Sequence, residues 1–232
     1  CCRHNMGVET FFDRGFEADD VTKVFLTNAA CNTENLRNLI RLNNPILKIQ
    51  AINTSHAVGI DSSDMNGLQS SLYLAIGSKV MLTTNICQQL GLSNGTICYV
   101  RDFIFNTNEA DPNFLPGMLP RCVWVEVANN MYSGPSFFPN DPSKKDWVPI
   151  FPVMCEIKLF KNNAIVECTR TMVPLKLSYA FTPWKIQGQS ISGKVVGELG
   201  ENERSDGLTY VIFSRVRRFD DVAIDGGMTF AR

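Results

Sequence analysis

The chain has no Cys-x-x-Cys pair and only two histidines, His4 and His56, so its eight cysteines (Cys1, Cys2, Cys31, Cys87, Cys98, Cys122, Cys155 and Cys168) do not form a zinc module. Such modules need closely spaced ligand pairs. Several of the cysteines stand inside apolar runs, as in Ile97-Cys98-Tyr99 and Arg121-Cys122-Val123. A thiol there behaves as a small buried hydrophobe, and the expectation is reduced core thiols in an intracellular protein with no metal site. No stretch approaches the ~20 apolar residues of a membrane span. The opening Cys1-Cys2-Arg3-His4-Asn5 lacks the basic-then-apolar plan of a secretory leader, and with Cys1 in place of Met it reads as a piece of a longer protein. Charge of either sign is also scarce in excess. A net charge of −1 argues against nucleic-acid binding by bulk charge. No nucleophile–base pair appears, which leaves little basis for a small-molecule enzyme.

A nucleotide cradle is missing too. Gly188-Gln-Ser-Ile-Ser-Gly193-Lys194 fits G-x-x-x-x-G-K, but the next residue is Val195 where Ser or Thr would hold magnesium, and a β-branched rather than a helical stretch follows. With no other P-loop and no acidic magnesium-binding motif, the chain alone is not expected to hydrolyse ATP.

What is present is a globular composition, 44% hydrophobic and 19% charged over 232 residues, enough for one large or two modest domains. Val21 to Thr27 alternates and is rich in β-branched residues, which predicts a strand. Asn28 to Leu42 places Ala29, Thr33, Leu36 and Ile40, with Leu39, at helical spacing, and Thr27 or Asn28 can cap it. Asn43-Asn44-Pro45 stops the helix and Ile46 to Ile52 follows as a strand, a β-α-β order that predicts an α/β domain. From about 70 to 172 the texture is short strands joined by turns, at 75–83, 96–105, 122–127, 148–160 and 164–173, with Asn94-Gly95 as a turn into the second of them. This predicts a small antiparallel barrel inserted in the α/β domain. After Pro174 the α/β texture returns: a strand over 175–181, a helical turn at 183–187, a strand at Val195-Val196, a helix over 206–214 capped by Ser205 or Asp206, and a last strand at 222–224.

Two segments of this last part end apolar runs in polar clusters: Ser178-Tyr-Ala-Phe-Thr-Pro-Trp-Lys185-Ile-Gln187-Gly188-Gln-Ser190, and Tyr210-Val-Ile-Phe-Ser214-Arg215-Val-Arg217-Arg218. Polar groups emerging from a core are how phosphate and nucleic-acid sites are built. From Arg170 to Arg218 the charge is +4, leaving −5 elsewhere, so a local basic surface is compatible with the neutral total. Arg215 has two readings on position alone. It is either a solvated cation at a helix C-terminus or a guanidinium beside a core with an anionic partner.

These segments resemble motifs V and VI of Pif-type superfamily-one DNA helicases, including those of Helitron-like transposons. The family pattern A-x-T-x-H-K-S-Q-G-x-T is matched at Ala180, Thr182, Lys185, Gln187, Gly188 and Ser190, and Y-V-A-L-S-R-V at Tyr210-Val211 and Ser214-Arg215-Val216. Upstream, Gly77-Ser-Lys-Val80-Met81-Leu82 with Asn85, and Gly91-Leu92-Ser-Asn94-Gly95-Thr96, resemble the family's G-x-x-V-M-L and G-L-x-N-G-T segments. The chain departs from the pattern at Trp184, where the family has His, at Ile186, where it has Ser, and at Thr27-Asn28-Ala29-Ala30, where it has T-P-T-N.

The resemblance implies an α/β fold, a RecA-like domain of the P-loop NTPase type without its own P-loop. Residues 1–69 and 173–232 would form this second RecA-like domain, and residues 70–172 an inserted SH3-like antiparallel β-barrel. It further implies the C-terminal portion of an ATP-dependent helicase that moves on single-stranded DNA and unwinds duplexes in repair, recombination, replication or transposition. ATP and magnesium would be held mainly by a first RecA-like domain outside this chain. Arg215 would then act as arginine finger, Gln187 and Gly188 would sit with Arg215 at the nucleotide, and Thr182, Trp184, Lys185 and Ser190 would face single-stranded DNA. An intracellular and, in a eukaryote, nuclear location is expected. The rival expectation is a non-catalytic DNA- or protein-binding relic of a transposon helicase.

Overall fold

A computed structural model describes residues 21–106, 117–161, 164–186, 194–198, 207–216 and 218–225. The chain divides into two compact units, Cys1–Asn38 with Tyr179–Arg232, and Leu39–Ser178. The stretch 70–172 expected as an insert lies within the second of them.

The first unit is built on a parallel sheet. Strand β1 (Thr22–Phe25) lies between β12 (Ala180–Phe181) and β13 (Val195–Glu198), and β14 (Val222–Asp225) flanks β13. Val24, Val195 and Val222 are buried, as β-branched residues are in a sheet covered on both faces. Helix α1 (Asn28–Arg41) follows β1. Its first turn is capped by Thr27, whose Oγ1 accepts the Ala30 N–H at 3.2 Å.

The helix does not bury the face that its apolar spacing predicts. Ala29, Thr33, Leu36 and Ile40 are exposed, Ile40 by 66%, and the inward residues are Cys31, Glu34, Asn35 and Leu39. Polar bonds set this rotation. Asn35 Nδ2 donates to the Ala180 carbonyl at 3.2 Å, and Asn35 Oδ1 accepts the N–H groups of Tyr179 and Ala180, each at 2.9 Å. Three backbone groups at the start of β12 are thereby satisfied by one side chain, an arrangement that apolar periodicity does not register.

In the second unit the expected β-α-β crossover is absent. Strand β2 (Leu47–Gln50) pairs antiparallel with β4 (Ser71–Leu74) in a sheet of two strands, not with β1. Its alternation gives the reason: Ile49 is buried while Lys48 and Gln50 are exposed, a one-faced pattern suited to an antiparallel pair and not to a strand covered on both sides.

Five strands form an antiparallel sheet in the order β11-β5-β6-β7-β8: β5 is Lys79–Leu82, β6 Ile97–Ile104, β7 Cys122–Val127, β8 Trp147–Ile150 and β11 Leu175–Leu177. Pro149 is tolerated in β8 because that strand is the sheet's edge. Three predicted strands are divided between sheets, the one over 46–52 at Ala51 and two further along the chain. Phe151-Pro152 separates β8 from β9 (Val153–Lys161), and Ser178-Tyr179 separates β11 from β12. A third sheet, β3-β10-β9, comprises β3 (Ile52–Asn53), β9 and β10 (Ala164–Met172). No α-helix is found among the described residues of 70–172.

Two side-chain devices order the irregular stretches of this unit. Arg170, fully buried, donates from Nε to Asn53 Oδ1 at 2.8 Å, from Nη1 to the Leu68 carbonyl at 3.0 Å, and from Nη2 to the carbonyls of Ile60 and Ala57 at 2.8 and 3.2 Å. Its charge, after the Ser63 N–H and hydroxyl, helps hold the Asp61 carboxyl below the usual range. The polar 129–146 connection closes on aromatic rings: Trp124 and Phe138 lie 4.8 Å apart, and Lys144 sits 5.2 Å from both the Phe138 and the Trp147 ring. Cys98 is buried among the strands, and burial pushes its thiol pKa up to about 12.

Candidate functional site

Of the residues singled out by sequence, Thr182, Trp184, Lys185 and Arg215 lie in the first unit, on or beside the two short helices after β12. Helix α2 (Pro183–Ile186) begins with proline, whose missing N–H is harmless at a first helical position. Pro183 and Ile186 are buried and anchor the turn, and the Lys185 N–H donates to the Thr182 carbonyl at 3.0 Å. With both flanking residues held in the core, Trp184 is turned outward and is 53% exposed, while Thr182 and Lys185 are half-buried. Gln187, Gly188 and Ser190 lie outside the described residues.

Helix α3 (Leu208–Phe213) is in contact with α2. Its N-terminal flank is Gly207 at φ 88°, which makes no side-chain cap; Ser205 and Asp206, expected as caps, lie outside the described residues. Ile212 is buried, whereas Tyr210 is 73% exposed, so the apolar run before Arg215 is only partly a core segment. The chain then ends the helix with a polar knot. Ser214 Oγ donates to the Val211 carbonyl at 3.0 Å, and Arg215 donates from Nε to the same carbonyl at 3.3 Å and from Nη2 to Ser214 Oγ at 2.9 Å. Among the described residues the guanidinium's partners are neutral, and the anionic partner suggested by its position is not among them. Arg215 is instead set at the helix C-terminus by a carbonyl and a hydroxyl. Arg218 pairs only loosely with Asp220, at 3.9 Å between exposed side chains, and Arg217 lies outside the described residues.

A charged cleft over the sheet was not signalled by any motif. About 410 Å³ in volume, it is lined by Lys23, Phe25, Thr33, Glu34 and Arg37 among others, and none of Thr182, Trp184, Lys185 or Arg215 lines it. Glu34, 3% exposed at its side chain, accepts from Lys23 Nζ at 2.6 Å, Arg37 Nη1 at 2.9 Å and Asn38 Nδ2 at 2.9 Å. Burial pushes its carboxyl pKa up, but the bonds from Lys23 and Asn38 and the charges of Lys23 and Arg37 outweigh burial and hold it below the ordinary value. The i,i+3 spacing of Glu34 and Arg37 was the only trace of this network in the sequence.

In the second unit the remaining motif residues form a turn. Asn85 Oδ1 accepts the Asn94 N–H at 2.8 Å, and Thr96 Oγ1 donates to the Gly91 carbonyl at 2.9 Å, with Gly95 at φ 95°. Asn85 and Asn94-Gly95-Thr96 therefore work together to shape the entry to β6.

Taken together, these features define an α/β protein in which a parallel sheet carries two short helices with exposed polar and aromatic residues, joined to a second unit of antiparallel sheets. No family model matches the chain. In sequence and fold it is similar to Pif1 helicases. It is 29% identical over 172 residues to an ATP-dependent DNA helicase PIF1 of Trypanosoma brucei brucei, covering 66% of this chain and 17% of that protein. Among solved structures it matches Pif1 helicase from Candida albicans with a TM-score of 0.62 and 19% identity, covering 90% of this chain and 45% of that one. It also matches Pif1 helicase from Bacteroides in complex with ADP-AlF3 and ssDNA, with a TM-score of 0.61 and 18% identity, over 92% of this chain and 42% of that one. The chain thus spans less than half the length of each of these relatives. Among the described residues, no helix is long and apolar enough to cross a membrane.

Proposed function

We propose that the chain is the C-terminal portion of an ATP-dependent DNA helicase that moves on single-stranded DNA and unwinds duplexes inside the cell. In this reading residues 1–69 and 173–232 act as a second RecA-like motor domain and 70–172 as an SH3-like insert. The observation that carries it is the arrangement of α2 against α3, with Trp184 exposed on one and Arg215 knotted to Ser214 at the end of the other.

Arg215 is the arginine finger. Its planar fork is oriented by neutral acceptors, so among the described residues no carboxylate competes for its charge, which suits a guanidinium that must meet a phosphate. ATP with magnesium is held mainly by a first RecA-like domain outside this chain, and the nucleotide supplies the energy of movement. This chain's part is to bring Arg215, with Gln187 and Gly188, to that nucleotide. Thr182, Trp184, Lys185 and Ser190 face the single strand, the lysine meeting a phosphate and the indole a base. The fragment alone does not turn over ATP.

The test is to supply the first domain, in cis or in trans, and measure DNA-stimulated ATP hydrolysis. Arg215→Ala lowers turnover by roughly 10³ to 10⁵, the range for fingers of this kind. Turnover by that variant at the parent rate overturns the assignment.

A further inference from the structure

Strand β9 ends the sheet β3-β10-β9 and, among the described residues, pairs with β10 alone. Its register with β10 is unbroken, and it contains neither proline nor glycine. Which of its backbone groups face the open edge follows from the far side of β10. There the Thr54 N–H donates to the Thr169 carbonyl at 3.0 Å, so Thr169 points toward β3, and by alternation Arg170, Cys168 and Val166 point toward β9. Their partners Cys155, Ile157 and Leu159 direct their N–H and C=O groups at β10. Those of Met154, Glu156, Lys158 and Phe160 therefore face outward.

Open edges are normally blunted. Strand β8, at the edge of the five-stranded sheet, shows how. The Val127 N–H donates to the Asp146 carbonyl at 3.1 Å, and stepping along the register from that pair turns Pro149 away from β7, so the edge lacks a donor there. The guard on β9 is a single charge, Lys158, and the strand carries the opposite charge itself at Glu156.

The outward residues read as a self-complementary set. Met154, Glu156, Lys158 and Phe160 share one face and are all exposed, Met154 by 66% and Phe160 by 74%. A second β9 laid antiparallel about a two-fold axis at Ile157 sets each Glu156 opposite a Lys158 and each Met154 opposite a Phe160. Opposite charges, and a thioether against an aromatic ring, are favourable cross-strand neighbours. These are also the positions whose backbone groups face outward, so every such pair exchanges both of its hydrogen bonds. Lys158, already 3.4 Å from Glu167 across the ribbon, then lies between two carboxylates. Moving the axis to Glu156 or to Lys158 opposes like charges, and a slip of one residue turns the two exposed sets to opposite faces.

We propose that β9 is a self-association edge, to which a second copy of this chain adds its own β9 antiparallel about Ile157, joining two three-stranded sheets into one. Each copy's edge is used in the pair, so assembly stops at two. A single strand pair is a small interface, and the dimer is weak and reversible. The test is sedimentation of the whole chain over a range of concentrations, with amide exchange followed at both ends of that range. The expected mass rises toward that of two copies and no further. At high concentration the amides of 154, 156, 158 and 160 gain protection, and those of 155, 157 and 159, already bonded to β10, do not. Lys158→Glu and Glu156→Lys each weaken the dimer about 5- to 30-fold, because both symmetric pairs become like-charged. Mixed together, the two variants restore a heterodimer of parent strength, a recovery that misfolded variants cannot give. A chain that stays monomeric, a dimer indifferent to both charge variants, protection outside the alternating amides, or growth past two copies overturns the proposal. None of these results involves Arg215 or DNA, so the helicase reading stands or falls separately.

Discussion

Single side chains in this protein take on work that is normally shared by many. Arg170 is the clearest case: a fully buried guanidinium whose described partners are three carbonyls and one amide oxygen. Removing it leaves those acceptors buried and unpaired, a loss larger than that of any one hydrogen bond. Arg170→Met, which keeps the length and drops the donors, should cost about 3 to 5 kcal/mol in chemical denaturation, and amide exchange should rise over 53–68 first. Asn35 does comparable work in the other unit, tying α1 to residues 179–180. In the sequence Arg170 counted only as one of several basic residues, and Asn35 was given no role. A buried hydrogen-bonding partner more than 100 residues away leaves no periodic trace.

At the scale of elements, local chemistry predicted nearly every strand and helix but misjudged how some of them face or pair. Most of the expected segments exist, and of the two caps expected for α1, Thr27 and Asn28, it is Thr27 that bonds the first turn. The rotation of α1 and the pairing of β2 with β4 differ because both follow from partners distant in sequence. Turn chemistry is more local and was more legible. Gly91 ends a single 3-10 turn at φ 82°, and a Cβ there would run into the backbone carbonyl of Met131. Both the left-handed conformation and the collision with main chain penalise a side chain. Gly91→Ala should therefore lower stability by at least about 1 to 2 kcal/mol, with the loss visible in the thermal midpoint of the second unit. A variant as stable as the parent would show that the turn can shift to accommodate a methyl group.

For the molecule as a whole, the near-neutral charge hides networks that respond to pH. The Glu34 pKa is depressed in the folded state, so its ionised form contributes stability above its unfolded pKa, near 4.5, and that contribution disappears as pH falls through the lower folded value. Stability measured by denaturant between neutral pH and about pH 3 should decline on the acid side, and Glu34→Gln should flatten the part of the decline that belongs to this group. An unchanged acid limb in that variant would place the titration elsewhere.

The sequence by itself determined the alternation of textures, the order of the strands and helices, the turn residues that join them, and the motifs shared with Pif1 helicases. These depend on neighbours a few residues apart, on covalent geometry and on side-chain type. Only the tertiary structure decided which face of α1 is buried, that β1 and β2 serve different sheets, that Arg170 locks a loop, and that β9 stands at the edge of its sheet. Each of these is a contact or an exposure set between segments far apart in the chain. Burying a polar group is tolerated only where its partner arrives, and that meeting exists only once the chain has folded.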